Sequence, residues 1–157
     1  MYDIVRQSGL PLVTEGHSFW KVWTPDGSRI TYASRGRLYW RVADASAEAQ
    51  SLGQMGQPQS WTRDGRVLIF GIDPTPSRPD IWMMPLGGQA QALIATRAVE
   101  WQSTLSPDDR WLAYQSDESG RIEVYVRPFP NVDAGKWLVS TDGGGSPVWS
   151  RNGGELF

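Results

Sequence analysis

The chain has 157 residues and a net charge of −2, so it lacks the basic surface that nucleic-acid binding requires. It contains no cysteine, which excludes disulfides, thiolate metal sites and cysteine nucleophiles. No long apolar run and no secretory leader pattern occur, so we expect neither membrane insertion nor a signal peptide, and the compartment stays open. The length predicts one domain with a sizeable core.

A five-residue turn signature occurs four times at regular intervals. Its copies read Trp-Thr-Pro-Asp-Gly, Trp-Thr-Arg-Asp-Gly, Leu-Ser-Pro-Asp-Asp and Trp-Ser-Arg-Asn-Gly, and they begin at Trp23, Trp61, Leu105 and Trp149. Asp-Gly between β-type runs is the strongest short-range signal for a hairpin. The copies are 38, 44 and 44 residues apart. A period of about 40–45 residues with β-type content predicts the four-stranded blades of a β-propeller.

In chain order, the predicted strands begin with half a blade. Residues 3–7 and 12–14 match the third and fourth strands of the later repeats, so residues 1–14 predict the second half of a blade. The whole blades and the other half blade then follow, at approximately 18–53, 57–95, 101–140 and 146–157. The Ala-rich residues 44–51 predict a loop or a single turn of helix. We therefore expect an all-β propeller of four-stranded antiparallel blades, in one domain over residues 1–157, with three whole blades and two complementary half blades.

The two half blades leave more than one way to close the ring. One chain that closes on itself gives four blades, whereas two chains that exchange half blades head to tail give an eight-bladed ring. A third possibility is a fragment that does not close. The large Trp and Tyr residues at the predicted blade faces favour wide, gently turning blades. We therefore expect self-association through the half blades, as a homodimer.

Residues 106–114 and 143–153 resemble the TolB-type, WD40-like propeller repeat, whose hallmark is W-S-P-D-G followed by an apolar strand. The resemblance covers essentially the whole chain. Arg63 departs from it by replacing Pro in the second copy, and Asp109 by replacing Gly in the third. The resemblance implies binding of a protein or peptide, as in periplasmic envelope proteins. It also suggests a periplasmic or extracytoplasmic location.

No catalytic constellation stands out. His17 is the only histidine, and the G-x-S-x-G motif of serine hydrolases is absent. Each Asp-Gly turn offers one or two carboxylates rather than a calcium loop. We therefore expect a non-enzymatic scaffold without catalytic residues, metal or cofactor. The alternative is a sensing or gating propeller of a larger enzyme, a Ser/Thr kinase or a serine peptidase, whose catalytic domain lies elsewhere.

A binding surface is predicted from position alone. The linkers that join a fourth strand to the next first strand gather at one mouth of a propeller's channel, and loops on a rigid scaffold usually carry recognition. The candidate binding residues in these linkers are Glu15, His17, Arg97, Glu100 and Asp142. The first residues of the four turn signatures are expected to pack between blades, because stacked blades bury faces that no single blade buries alone.

Overall fold

The computed structural model of the protein describes residues 2–3, 8–9, 18–73 and 78–157, and it describes side chains in these ranges from residue 20 onward. Three four-stranded antiparallel sheets follow one another along the chain. The first blade contains β3 Ser18–Trp23, β4 Arg29–Ser34, β5 Arg37–Val42 and β6 Gln50–Met55. The second contains β7 Gln57–Trp61, β8 Val67–Ile72, β9 Asp80–Pro85 and β10 Gln91–Ile94. The third contains β11 Glu100–Leu105, β12 Trp111–Ser116, β13 Glu123–Pro128 and β14 Trp137–Leu138.

Within each sheet the strands are hydrogen-bonded in chain order, which is the meander of a propeller blade. The helical content of the described ranges is one 3-10 turn, Val132–Ala134. None of it is long or apolar enough to cross a membrane. The predicted all-β fold with four-stranded antiparallel blades is therefore confirmed.

The second strand of each blade forms the core. Four consecutive residues of β4, residues 30–33, are buried, and the same is true of β8 at residues 68–71. Side chains of a strand alternate between the two faces of its sheet, so burial of every residue requires cover on both sides. These strands are covered because neighbouring blades pack against each other.

Two apolar clusters join the blades. One contains Leu38 of the first blade together with Trp61 and Phe70 of the second. The other contains Ile69 of the second blade together with Leu105 of the third. The predicted role of the repeat's first residue as blade-to-blade core is confirmed at Trp61 and Leu105, which are both buried.

The four turn signatures fold in one way. In the first copy the Thr24 hydroxyl donates a hydrogen bond to Asp26 Oδ1 (2.6 Å) and accepts one from the backbone N–H of Arg29 (3.0 Å). The Asp26 carboxylate also accepts the Ser28 N–H (3.0 Å). Equivalent bonds occur in the other three copies, at Thr62 and Asp64, Ser106 and Asp108, and Ser150 and Asn152.

The two departures from the repeat motif contact each other. Arg63 replaces a proline, and its backbone N–H donates to Asp109 Oδ2 (2.8 Å). A proline has no N–H to give. Asp109 replaces a glycine and adopts the left-handed φ of 57°, which Asp tolerates better than most residues. Each departure therefore supplies one partner of a hydrogen bond between the second and third blades.

The C-terminal residues form a hairpin where the first two strands of a further blade are predicted. Val148 and Phe157 exchange both backbone hydrogen bonds, each 2.9 Å long, around the fourth turn. Trp149 and Leu156 form a β-bridge, and Trp149 Nε1 donates to the backbone oxygen of Thr104 in the third blade (3.2 Å). This hairpin therefore packs next to the third blade.

Three features differ from the sequence-based expectation. Trp23, expected in the core, is 43% exposed because no described blade covers its face of the first blade. Near the N-terminus, β1 Tyr2–Asp3 pairs with β2 Ser8–Gly9 in a separate two-stranded sheet. The strands predicted at residues 3–7 and 12–14 fall mostly outside the described residues, and completion of the last blade by residues 1–14 stays a prediction. The Ala-rich segment is a loop only to residue 49, because β6 begins at Gln50.

Candidate functional site

The first strands of the blades wall a central cavity. β3 lies against β7, and β7 lies against β11, while residues 146–148 continue the series in the C-terminal hairpin. The cavity between them has a volume of about 330 Å³. Its lining contains aromatic, amide, hydroxyl and aliphatic side chains from Trp20, Lys21, Val22, Gln57, Pro58, Gln59, Trp101, Gln102, Ser103, Thr104, Ser146, Pro147 and Val148. This is the channel position of a propeller, where first strands meet.

Backbone irregularities recur at this wall. Trp20, Gln102 and Ser146 adopt the left-handed φ values of 56°, 49° and 54°, and each lies three residues before a repeat's first residue. The pairing of β3 with β4 and of β11 with β12 shifts register at these points. In β7 the equivalent residue is Pro58, whose ring excludes positive φ, and the register shift falls between Pro58 and Ser60. Such bulges turn a side chain away from the regular alternation of a strand.

Side-chain amides tie neighbouring first strands together. Gln59 Oε1 accepts hydrogen bonds from the backbone N–H of Ser103 (3.0 Å) and from its hydroxyl. Gln102 Oε1 accepts the Ser146 hydroxyl (2.7 Å). The Ser146 N–H donates to Gln115 Oε1 (2.9 Å), which holds the C-terminal hairpin against β12. These bonds fix the spacing of the strands around the cavity.

Two of the linkers at the predicted mouth are hydrogen-bonded to a turn that follows a second strand. The Gly56 N–H donates to the Gly36 oxygen (3.0 Å), which joins the linker after β6 to the turn after β4. The Val99 N–H donates to Asp117 Oδ1 (2.8 Å), which joins the linker after β10 to the turn after β12. Each of these bonds fixes a single linker to one blade, so the gathering of the linkers into a mouth and its role in binding stay predictions.

The predicted mouth residues have different environments. Arg97 and Asp142 are exposed, and Asp142 Oδ1 lies 3.3 Å from Arg121 Nη1. Glu100 is only 1% exposed, and its carboxylate accepts hydrogen bonds from the N–H (3.4 Å) and hydroxyl of Thr96. Burial raises the pKa of the Glu100 carboxyl. Glu15 and His17 lie outside the described residues.

Glu123, which the sequence analysis did not single out, contacts the linker that follows β14 of the third blade. Its buried carboxylate accepts hydrogen bonds from Arg121 Nε (2.6 Å), the Gly143 N–H (3.0 Å) and the Ser140 hydroxyl. The Ser140 hydrogen bond contributes most to lowering the pKa of the Glu123 carboxyl. Because all its partners belong to the same blade and linker, Glu123 stabilises the loop rather than offering a free group to a ligand.

The cavity wall offers binding chemistry. It carries indole rings, amides, hydroxyls and one ammonium group, and none of the residues that line it is His, Asp or Glu. Over the described part of the chain, no three His, Asp or Glu side chains are grouped so as to hold a metal ion. The sequence analysis missed this wall, although its residues recur at a fixed offset before each turn signature.

Solved structures share this architecture, although no family model matches the sequence. TolB from Acinetobacter baumannii superimposes with a TM-score of 0.73 at 20% identity, over 92% of this chain and 38% of that protein. The structure assigned as TolB from Agrobacterium tumefaciens gives 0.69 at 18% identity, over 81% of this chain and 50% of that one. The tricorn protease gives 0.61 at 11% identity, over 81% of this chain and 17% of that one.

The chain thus spans half or less of each of these proteins, so the likeness concerns a group of blades rather than a whole molecule. At these identities the likeness establishes the fold and no activity. Together with the four turn signatures and the three meander sheets, it shows that the chain has a TolB-like β-propeller fold.

Proposed function

We propose that this protein is a non-catalytic scaffold that binds an extended segment of another protein at the central cavity and its mouth. The observation that carries the proposal is the composition of the cavity wall. Trp20 is 42% exposed, Trp101 is half-buried, and Gln57, Gln59 and Gln102 surround them. Indole faces cover apolar side chains, and primary amides can both donate to and accept from a peptide backbone.

The shape of the site supports the same assignment. A volume of about 330 Å³ lies at the lower end of the range for ligand pockets. Strands present the wall, and linkers that lead into two of these strands are hydrogen-bonded to adjacent turns. An extended chain can enter such a channel while a bulky folded domain stays outside, so the ligand is a terminal or looped segment.

The test is selection from a displayed library of random peptides with the intact chain as bait. We expect enriched peptides whose binding is lost in Trp20→Ala and retained in Leu86→Ala, a matched loss of an exposed apolar side chain at the turn end of the blades. Enriched peptides that bind both variants equally would contradict the proposal, as would an absence of enrichment.

We also propose that the chain associates with a second copy of itself. The supporting observation is the open face of the first blade, where Trp23 is exposed, although the equivalent Trp61 is covered by a preceding blade. An uncovered apolar blade face favours pairing with another blade. Light scattering should give twice the chain mass of 17.5 kDa. Trp23→Glu should return it to one chain, whereas Leu86→Glu should not.

A monomer at all concentrations would contradict self-association and leave peptide binding untouched. Deletion of residues 1–16 provides a second check on the half-blade exchange. A truncated chain that still forms dimers would show that the pairing lies elsewhere.

A further inference from the structure

The cavity wall carries a positive charge and no negative charge. Lys21 is the only ionisable side chain of the lining that is charged at neutral pH. Lys21 is exposed, and among the described residues no ion pair involves it. An ammonium group without an ion-pair partner in the described part of the chain attracts a ligand carboxylate, most strongly at low ionic strength.

Hydrogen-bond donors lie in the same wall as the lysine. The side-chain oxygen of Gln59 is occupied by Ser103, and its Nε2 packs against Gly71 of β8. The side-chain oxygen of Gln102 accepts the Ser146 hydroxyl, and its NH₂ group only donates. The indoles of Trp20 and Trp101 can likewise only donate, and Gln57 adds an amide. A ligand that brings oxygen acceptors can therefore bind several of these donors.

Unusual backbone conformations also occur in the cavity wall. Of the six described non-glycine residues with positive φ, three lie in the cavity wall: Trp20, Gln102 and Ser146. A bulky residue such as Trp in this conformation is a genuine outlier, and such outliers cluster at binding sites. The bulges place these side chains in the channel wall, where regular strands would alternate them between two faces.

We propose that the cavity selects an acidic extended peptide, in which a Glu or Asp carboxylate pairs with Lys21 and backbone oxygens accept from the amides of Gln57 and Gln102. This inference rests on the proposed function and adds the chemical class of the ligand. A peptide fits better than an inorganic anion, because the two indoles also provide an apolar surface for neighbouring side chains.

Three pools of blocked hexapeptides test the inference. The pools differ only in their two central residues, which are Glu in one pool, Gln in the second and Lys in the third. Binding is measured by fluorescence polarisation with the full chain. The Glu pool should bind about tenfold more tightly than the Gln pool, as expected for one added charge-assisted hydrogen bond. Added salt should reduce the difference.

Lys21→Glu should abolish the preference for Glu, and Arg151→Glu is its matched control. Arg151 is exposed in the fourth turn and outside the cavity, and its reversal changes the net charge by the same amount. The Glu preference should persist in this control. A Glu preference that persists in Lys21→Glu would overturn the inference.

The outcomes separate this inference from the proposed function. Equal binding of the three pools, lost in Trp20→Ala, would refute acidic selectivity and leave a peptide-binding channel. Absence of binding by every pool would overturn both. A Lys21-dependent interaction with a triuronate, without any peptide binding, would assign the site to acidic sugars and would also overturn both.

Discussion

Trp23 and Trp61 occupy the same position of two successive repeats, yet they have opposite environments. Trp61 is 7% exposed, and its Nε1 donates to Thr31 Oγ1 of the preceding blade (3.0 Å). Trp23 is 43% exposed, although the turn after it makes the same hydrogen bonds as the turn after Trp61. The repeat signature therefore determines the local turn, whereas burial of its aromatic residue depends on a neighbouring blade.

This difference divides the fold into two levels. Turn formation depends on residues close in sequence, such as Thr62 and Asp64, and needs no neighbouring blade. Core formation depends on contacts between blades, such as that of Trp61 with Thr31. Mutations should therefore reduce the free energy of unfolding through lost core packing only where two blades meet.

The largest effect is expected from Trp61→Ala. It removes a buried indole from the cluster between the first two blades, and buried Trp→Ala changes cost about 3–5 kcal/mol. In the dissociated chain, at low protein concentration, Trp23→Ala should cost about 1 kcal/mol or less, because much of the side chain already contacts water. Urea unfolding of the two variants measures both values. Equal losses would mean that Trp23 is covered in solution, as self-association would produce.

The hydrogen bond under Trp61 gives the next effect. Thr31→Val keeps the shape of a fully buried residue and leaves the Trp61 N–H without its acceptor, which should cost about 1–2 kcal/mol. In a Trp61→Phe background the same change should be close to neutral. If Thr31→Val costs as much in that background as in the natural chain, the bond does not stabilise the interface.

The sequence predicted the elements that depend on local signals. Asp-Gly turns and alternating apolar residues located the three blades and the C-terminal hairpin. β6, Gln50–Met55, was not recognised as a strand, because Gln-Ser-Leu-Gly-Gln-Met contains no β-branched or aromatic residue.

The candidate site was harder to predict because it depends on the assembly of blades. Glu100 was selected as a mouth residue from its position in a linker, and the structure shows that its side chain is buried against Thr96. The left-handed conformations of Trp20 and Gln102 have no sequence signal, since neither residue type favours positive φ. The cavity wall emerges only when first strands far apart in sequence are brought side by side.

A smaller effect is expected from the turn contact between the second and third blades. Arg63→Pro removes the N–H that Asp109 accepts, and we expect a loss of about 1 kcal/mol. Asp109→Gly in the same chain should recover part of it, because the left-handed position then holds a glycine. A double-mutant cycle by urea unfolding measures the coupling. Strictly additive losses would show that the two departures are independent.

The smallest expected effect concerns the carboxyl pKa values of the turns. It tests whether the uncovered face of the first blade changes the turn of that blade. Hydrogen bonds from Thr24 and Ser106 contribute most to lowering the pKa values of Asp26 and Asp108, each to about 2. Because these pKa values are depressed, the stabilisation is present above about pH 4 and is lost as the pH falls towards 2. NMR titration should find the same midpoint for both carboxyls. A clearly higher midpoint for Asp26, in the first blade, would show that the open face loosens its turn.

The central claim is that the first strands form the binding site of this propeller. It is tested most directly by mapping a bound Glu-centred hexapeptide with amide and indole NMR signals of the full chain. We predict shifts at the indoles of Trp20 and Trp101 and at the side-chain amides of Gln57 and Gln102, while the Asp-Gly turns stay unchanged. Shifts confined to the turns around Asp26 and Asp64 would contradict the account.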